Sequence, residues 1–169
     1  NNIPNEWIID QTTQYSTECE IITQTTYVPD DNFEQALIDL GYDDVLDGIV
    51  LTLNINEVTT LDISEKNISD LTGIEDFLAL QDLFLRNNNV SVLDLSNNIL
   101  IERLQLNSMY ELTSLDLSSN VNLIEFNSSV SSNLASITFG QNTQLEDFVM
   151  TNNNVMTQID FSTLSSLIN

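Results

Sequence analysis

The sequence is short of several residue types on which common protein chemistries depend. Its 169 residues contain no histidine, one cysteine, two prolines, four glycines and only three lysine and arginine residues in total. Without histidine, neither a Ser–His–Asp triad nor a Cys–His pair can form, and histidine-ligated zinc is excluded as well. The single thiol, Cys19, cannot form an internal disulfide. The sequence therefore predicts a protein that is not an enzyme and that uses no cofactor.

Positive charge is almost absent, since 26 acidic residues leave a formal net charge of −23. A field of that sign repels the phosphates of nucleic acids and the headgroups of anionic membranes. No apolar run approaches the roughly 18 residues that a membrane-spanning helix requires, so we expect neither nucleic-acid binding nor membrane insertion. The chain begins at Asn1 rather than Met, and we expect a processed or trimmed piece whose missing signal peptide does not argue for the cytoplasm.

Composition divides the chain into three regions within a single domain. Residues 1–26 are polar and rich in Thr and Gln, and we expect an extended arm that is held against the domain by Trp7. Residues 27–57 are predicted to form a helical cap that leads through a turn into a strand at 49–53. Residues 58–169 repeat a short pattern and are predicted to form the body of the domain.

The predicted cap helix has an N-cap at Asp30 or Asp31 and a stop at Gly41. Four apolar residues between these ends fall at helical spacing, namely Phe33, Ala36, Leu37 and Leu40. A single apolar stripe cannot stand alone, so we expect this helix to cover the open end of the repeat array. The acidic run that follows fits a calcium loop poorly, because Val45 and Asn54 occupy positions where an EF-hand needs oxygen ligands and a glutamate.

From Val58 onward, apolar pairs separated by one polar residue recur in two interleaved series. The first series steps by 22, 21, 22 and 22 residues and comprises Leu61/Ile63, Leu83/Leu85, Leu104/Leu106, Phe126/Ser128 and Phe148/Met150. The second series steps by 22 and comprises Leu93/Leu95, Leu115/Leu117, Ile137/Phe139 and Ile159/Phe161. Alternation over so few residues predicts two short strands per coil, each stacked on its equivalents in neighbouring coils. The first coil differs, because its return arm has apolar residues at a period near three, which predicts a 3₁₀ or short helical return.

The stretches VTTLDISEKNISDLTGIEDFLALQDLFL and LTSLDLSSNVNL resemble leucine-rich repeats of the internalin type and of secreted-surface proteins of Bacteroidetes. The stretch VPDDNFEQALIDLGYDDVLDGIV resembles the helical N-terminal cap of such arrays, and the resemblance covers about residues 27–168. Met109 and Ser128 depart from the repeat pattern. The resemblance implies a β-rich leucine-rich-repeat solenoid (an α/β superhelix) of about five right-handed coils with mostly strand-like return arms. It also implies a secreted or cell-surface bacterial protein that binds another protein.

Asparagine recurs in phase with both series. In the second series Asn98, Asn120 and Asn142 each follow the first apolar member by five residues. In the first series the same phase gives an interrupted set with asparagine at Asn88 and Asn153. A buried amide at such a corner can bond the backbone of successive coils, so we interpret these asparagines as a structural ladder.

Three rows of side chains are predicted to point outward from the strands of the first series. The first row is Thr60, Asp82, Arg103, Glu125 and Asp147; the second row is Asp62, Phe84, Gln105, Asn127 and Val149; the third row is Ser64, Arg86, Asn107, Ser129 and Thr151. Rows spaced about 4.8 Å apart are the usual recognition surface of solenoids. The candidate ligand-binding residues are Asp82, Phe84, Arg86, Arg103, Gln105, Asn107, Asn127, Val149 and Thr151. A protein partner is favoured over the alternative, a glycan-binding or scaffolding segment of a larger secreted protein, because Phe84 is the only aromatic residue in its row.

Two further hypotheses concern the return arms. Asp94 and Asp116 stack in the second series, where they either accept hydrogen bonds from Ser96 and Ser118, which we favour, or bind a divalent cation. The last coil ends in apolar residues without a polar cap, at Ile159, Phe161, Leu164 and Leu167. We expect either that further repeats follow or that this end self-associates with a second copy.

Overall fold

The computed structural model describes residues 24–159, and these residues form a solenoid with a cap at its N-terminal end. The first series forms a five-stranded parallel sheet in chain order. Its strands are β3 (Thr60–Asp62), β4 (Asp82–Phe84), β5 (Arg103–Gln105), β7 (Glu125–Asn127) and β9 (Asp147–Val149). The second series forms a three-stranded parallel sheet of β6 (Ser114–Leu117), β8 (Ser136–Phe139) and β10 (Gln158–Ile159).

The strand register matches the period that the sequence predicts. Leu61 pairs with Leu83, Leu83 with Leu104, Leu104 with Phe126, and Phe126 with Phe148. The first four of these side chains are fully buried and form one continuous apolar seam. Full burial of each such side chain stabilises the fold by about 1.5–3 kcal/mol relative to exposure, so the repeat of leucines is the main reason the coils stack.

The number of coils is slightly smaller than predicted. About five coils were expected, whereas the described residues make about four complete turns between β3 and β9. The prediction included residues 160–169, among them Phe161, Leu164 and Leu167, which lie outside the described residues.

The return arms change character along the solenoid, as the apolar spacing predicts. In the first coil the return arm contains a 3₁₀ helix (Ile74–Asp76), and in the later coils it is strand. The return arm of the second coil is intermediate: Leu93 and Leu95 are buried there, but these residues form no strand. The return sheet therefore begins at β6, in the third coil.

Four elements form the cap: β1 (Thr25–Tyr27), α1 (Asp31–Asp39), β2 (Ile49–Leu51) and α2 (Thr52–Ile55). β1 and β2 pair antiparallel, and β1 had not been predicted. The strand predicted at 49–53 ends at Leu51 instead, because Thr52 turns inward and its hydroxyl lies 2.8 Å from that of Thr26. Helix α1 covers the first coil, with the ring of Phe33 stacked 6.3 Å from that of Phe77.

Aromatic side chains fill the core of the later coils. Phe126 stacks on Phe148 with ring centroids 5.6 Å apart, and Phe139 meets Phe148 edge-on at 5.9 Å. On the return side of these coils, the backbones of two successive coils lie very close together at Gly140 and Ser118. A Cβ atom at Gly140 would lie 2.3 Å from the carbonyl oxygen of Ser118 in the preceding coil, so glycine alone fits there.

In the described part of the chain, no helix has the length and apolar character needed to cross a membrane.

Candidate binding face

The five-stranded sheet presents its outward side chains in register. Thr60, Asp82, Arg103, Glu125 and Asp147 are successive pairing partners, as are the five residues of the second row. Backbone bonds continue one position beyond the third row, from Glu65 N to Arg86 O and from Val130 N to Thr151 O. All nine candidate residues therefore lie on one face, which we call the strand face and define as the three rows.

The first row is cross-linked between coils. Arg103 Nη1 donates to Asp82 Oδ1 at 2.8 Å, and the hydroxyl of Thr60 donates to the other oxygen of Asp82 at 3.4 Å. Asp82 is thereby held from both neighbouring coils. Such a pair on an exposed surface stabilises by at most about 1 kcal/mol, so its main effect is to fix where the guanidinium and carboxylate stand.

The residues of the third row are held in place by an ion pair and by hydrogen bonds to backbone and side-chain amides. Arg86 Nη2 donates to Glu65 Oε1 at 2.6 Å, with both side chains exposed. Asn107 Oδ1 accepts from the backbone N–H of Ser129 at 3.0 Å, and the Ser129 hydroxyl donates to Asn127 Oδ1 at 3.1 Å. These contacts hold Asn107 and Asn127 close to Ser129 at the junction of two rows.

The second row provides the apolar part of the strand face. Phe84 is half-buried between the neighbouring strands, and Val149 is exposed at the far end of the row. Gln105 stands between them and donates to Glu125 Oε1 at 3.3 Å. A half-buried ring surrounded by oriented polar groups has the shape of a binding anchor, because its ring packs on the scaffold and its exposed edge is available for contact.

The electrostatic character of the strand face is set by how the few cations are used. All three cationic side chains of the sequence are in ion pairs: Lys66 with Asp39 at 2.8 Å, Arg86 with Glu65, and Arg103 with Asp82. The rows also hold three further acidic residues, Glu125, Asp147 and Asp62, and no further lysine or arginine. The strand face is therefore acidic overall, and its guanidiniums are already neutralised by neighbouring coils.

The recurrent asparagines lie inside the solenoid rather than on its surface. Asn120 Nδ2 donates to the carbonyl oxygens of Leu95 at 3.0 Å and Asn98 at 2.9 Å, both in the preceding coil. Asn98 and Asn142 make equivalent bonds one coil earlier and one coil later. These side chains lie in the core and bridge the backbones of successive coils, because each adds a second donor to carbonyls that already accept a backbone N–H within the turn.

In the first series the ladder is incomplete. Asn88 donates to the carbonyls of Ile63 and Leu85 and accepts from the N–H of Ile68. Asn153 donates to the carbonyl of Ser128. Between them, the Ser131 hydroxyl donates to the carbonyl of Leu106 at 2.9 Å in place of an amide. Met109, the remaining member, has an apolar side chain and is fully buried.

The two weak candidates for cation binding are engaged by their own turns. Asp94 Oδ1 accepts from the backbone N–H of Ser96 at 2.9 Å, and Asp116 Oδ1 from that of Ser118 at 2.9 Å. The backbone and side-chain bonds from Ser96 lower the pKa of the Asp94 carboxyl. Within residues 24–159, no group of three or more acidic, cysteine or histidine side chains is placed to hold a metal ion.

A groove of about 370 Å³ opens on the return side, where the 3₁₀ arm of the first coil meets the extended arm of the second. Its walls include Asp70, Glu75, Val92 and Asp94. The sequence had not indicated this groove, because it arises from the change in arm thickness between two coils rather than from any motif.

Together these features define a class. Parallel coils of 21–22 residues, each with an inward apolar strand residue and a variable return arm, follow a helical cap and give this chain the fold of a leucine-rich-repeat solenoid. No protein-family model matches the chain. Internalin J of Listeria monocytogenes serotype 4b (strain F2365) is 31% identical over 107 residues, which cover 54% of this chain and 12% of that protein.

Two solved structures are similar to the chain. The chain resembles an internalin of Listeria monocytogenes strain 4b F2365 with a TM-score of 0.55 at 16% identity, over 78% of this chain and 47% of that one. It also matches the functional domain of internalin J from Listeria monocytogenes, described as including a cysteine ladder, with a TM-score of 0.44 at 20% identity, over 83% of this chain and 45% of that one. The chain thus spans less than half the length of each of these proteins.

Proposed function

We propose that this solenoid is a non-enzymatic binding module that recognises a protein through the strand face, in a secreted or cell-surface bacterial protein. The observation that carries the proposal is the five-stranded register, which aligns three rows of outward side chains on a rigid parallel sheet. The sequence likeness to internalin J supports the same assignment and the extracellular setting.

The contact residues that we propose are the nine candidates on this face, with Phe84 as the central anchor. Phe84 combines a ring seated on the sheet with polar neighbours of fixed orientation, which is how residues that dominate binding energy are commonly arranged. The guanidiniums of Arg86 and Arg103 are held in place by their ion pairs. The acidic side chains of the strand face outnumber these two cations, and this excess of negative charge favours a partner with a basic surface.

A face-specific crosslinking experiment tests the proposal. A photoreactive residue is placed at Gln105 on the strand face or, as the matched control, at exposed Thr138 on the return sheet. Each protein is irradiated in a preparation of extracellular and cell-surface proteins, and the adducts are identified by mass spectrometry. We expect one recurrent protein adduct from position 105 and none from position 138. Equal adducts from both positions, or adducts from position 138 alone, would contradict the proposal.

A glycan is the second candidate ligand, because an aromatic ring, Phe84, lies in the same row as the amides of Gln105 and Asn127 and next to the first of them. Rings and amides are the groups that bind sugar faces and hydroxyls. A glycan array probed with the wild-type chain and with Phe84→Ala distinguishes the two candidates. Binding that depends on Phe84, together with no protein adduct at position 105, would replace the protein partner by a glycan.

A further inference from the structure

Two buried carboxylate oxygens in the cap have no hydrogen-bond partner. They are Oε2 of Glu34, on helix α1, and Oδ2 of Asp43, in the irregular segment that joins α1 to β2. The other buried side-chain atoms without a partner in the described part of the chain belong to asparagine and serine. Because buried polar atoms of native proteins are almost always paired, these two carboxylate oxygens require an explanation.

The carboxylate of Glu34 is fixed inside the cap. The residue is 1% exposed, although glutamate is seldom fully buried without a partner. Its Oε1 accepts from three successive backbone N–H groups, those of Asp47 at 2.9 Å, Gly48 at 2.6 Å and Ile49 at 3.1 Å. These bonds occupy one oxygen and set the direction of the other, so Oε2 is held in the interior without a donor.

Asp43 lies within the electrostatic reach of Glu34. Burial raises the pKa of the Asp43 carboxyl most strongly, and a backbone bond from Asp44 opposes this effect. The negative charges of Glu34, Asp44 and Asp47 raise the same pKa further. All three lysine and arginine side chains of the sequence are in ion pairs with other acidic residues, so none of them neutralises this group.

The available ligand atoms are those that calcium prefers. Ca²⁺ binds about six to eight oxygens, from carboxylates, backbone carbonyls and water, without a strict geometry. Residues 41–48 form neither helix nor strand, so regular structure does not use their carbonyls. The arrangement differs from an EF-hand, because Glu34 lies on the helix before the acidic segment and not at the end of a twelve-residue loop.

We propose that Glu34 Oε2 and Asp43 Oδ2 bind one Ca²⁺, with water and carbonyls of residues 43–47 as the remaining ligands. The ion supplies positive charge to two buried oxygens that have no other partner, and it fastens the α1–β2 segment to helix α1. With two carboxylates we expect a dissociation constant of about 10⁻⁴–10⁻³ M, the range of extracellular calcium modules. Both residues lie outside the three rows, so this inference is independent of the ligand of the strand face.

Calcium-dependent thermal unfolding tests the site. The 169-residue chain is freed of metal with EDTA and melted with about 10 mM CaCl₂ or with NaCl at equal ionic strength, which controls for screening of the −23 charge. The variant Asp43→Asn keeps the size of the side chain and removes one ligand charge. The matched control is Glu57→Gln, which removes an exposed carboxylate elsewhere in the cap.

A second measurement reports binding without reference to stability. Tb³⁺ replaces Ca²⁺ at oxygen sites, and its luminescence can be excited through a nearby tyrosine. Tyr42 directly precedes Asp43 in the chain. Displacement of this signal by Ca²⁺ is measured for the three proteins, after circular dichroism has established that each is folded.

We expect CaCl₂ to raise the Tm of the wild type and of Glu57→Gln by about 3–10 °C more than NaCl does. Asp43→Asn should show neither this calcium-specific rise nor the terbium signal that Ca²⁺ displaces. Three results would overturn the proposal: no calcium-specific rise in the wild type, an equal rise in Asp43→Asn, or loss of the rise in Glu57→Gln as well. If Asp43→Asn raised the Tm while the wild type did not respond to calcium, the two carboxyl groups would share a proton instead.

Discussion

One turn position in each coil has a left-handed backbone. Five residues share it at intervals of 22, 21, 22 and 22, with φ between 57° and 64°, namely Glu65, Asn87, Ser108, Val130 and Asn152. Asparagine tolerates this conformation because its short side chain bonds the local backbone, whereas a β-branched residue is strained there. Val130 is therefore the residue least suited to its position in the repeat.

We predict that Val130→Asn stabilises the protein by about 1 kcal/mol, because it places in this coil the residue that two other coils use. Val130 is already 38% exposed, so little apolar burial is lost. Urea unfolding of wild type and variant measures the effect. The control is Val121→Asn, another exposed valine without a positive φ, for which a change within about 0.5 kcal/mol is expected. A loss of stability in Val130→Asn would show that strain in the left-handed backbone does not decide the stability of this coil.

A single carboxylate, Asp30, joins the cap to the first coil. Its Oδ1 accepts from the backbone N–H groups of Asn32 and Phe33, which caps helix α1. Its Oδ2 accepts from the N–H and hydroxyl of Ser69 and from the N–H of Asp70. Burial alone would raise the pKa of Asp30, but the bonds from Ser69, Phe33 and Asp70 outweigh it and lower this pKa from its ordinary value of 3.8.

We predict that Asp30→Ala lowers the free energy of unfolding by about 2–4 kcal/mol, since it removes the N-cap and leaves the N–H groups of Ser69 and Asp70 without their acceptor. Because the folded pKa is depressed, the stabilisation is present above pH 3.8 and is lost as the pH falls through the folded pKa. Denaturant unfolding at neutral and acidic pH measures both effects. The matched control is exposed Asp31→Ala; an equal loss in that variant would contradict the assignment to Asp30.

At the scale of elements, the coils are joined by two kinds of contact, strand pairing and the asparagine ladder. Each inner amide donates to carbonyls of the preceding coil, as Asn120 does to Leu95 and Asn98. A buried hydrogen bond contributes about 0.5–1.5 kcal/mol, and each rung of the second series adds two of them, to carbonyls that also accept a backbone N–H within the turn. The ladder therefore determines how tightly one coil fits the next, independently of the leucine seam.

We predict that Asn120→Ala destabilises the solenoid by about 1–3 kcal/mol, because it removes two buried hydrogen bonds that join the third coil to the second. The control is Asn97→Ala at an exposed position in the second coil, where the change should stay within about 0.5 kcal/mol. Thermal and urea unfolding measure both variants. If the two substitutions had the same effect, the inner asparagines would not be the structural ladder that we describe.

The strands of the repeats could be predicted from the sequence because their apolar residues recur at a constant interval of 21–22 residues. Two apolar residues separated by one polar residue are enough to indicate a strand, and no tertiary contact has to be known. The cap was harder. β1 is the segment Thr25–Tyr27, whose alternation is too short to be seen, and its partner β2 lies more than 20 residues away. The end of β2 depended on the inward turn of Thr52 toward Thr26, a tertiary contact that no local pattern carries.

The strand face was likewise only partly predictable. Its rows followed from the period, so the neighbours of each residue across coils were known in advance. The ion pair between Arg86 and Glu65 was not, because Glu65 lies in the left-handed turn and its direction depends on backbone geometry. Asp30 was one of two possible N-caps, and it is distinguished from Asp31 by the bonds that its Oδ1 accepts from the N–H groups of Asn32 and Phe33.

At the scale of the whole molecule, charge and shape act together. The −23 net charge is carried on a scaffold whose three cations are already paired, so long-range attraction favours basic partners and opposes acidic ones. The leucine seam and the asparagine ladder lie inside, which leaves the strand face and the return groove as the two surfaces of distinct character. Among these, we assign recognition to the strand face.

The most direct test of that assignment compares two substitutions on opposite sides of the solenoid, Phe84→Ala on the strand face and Val92→Ala in the return groove. Calorimetry measures the affinity of each for the protein captured at position 105, after circular dichroism has established that both variants are folded. We predict at least a tenfold loss of affinity for Phe84→Ala, or about 1.4 kcal/mol, and no change for Val92→Ala. A loss for Val92→Ala with unchanged binding by Phe84→Ala would contradict the account and assign recognition to the return groove.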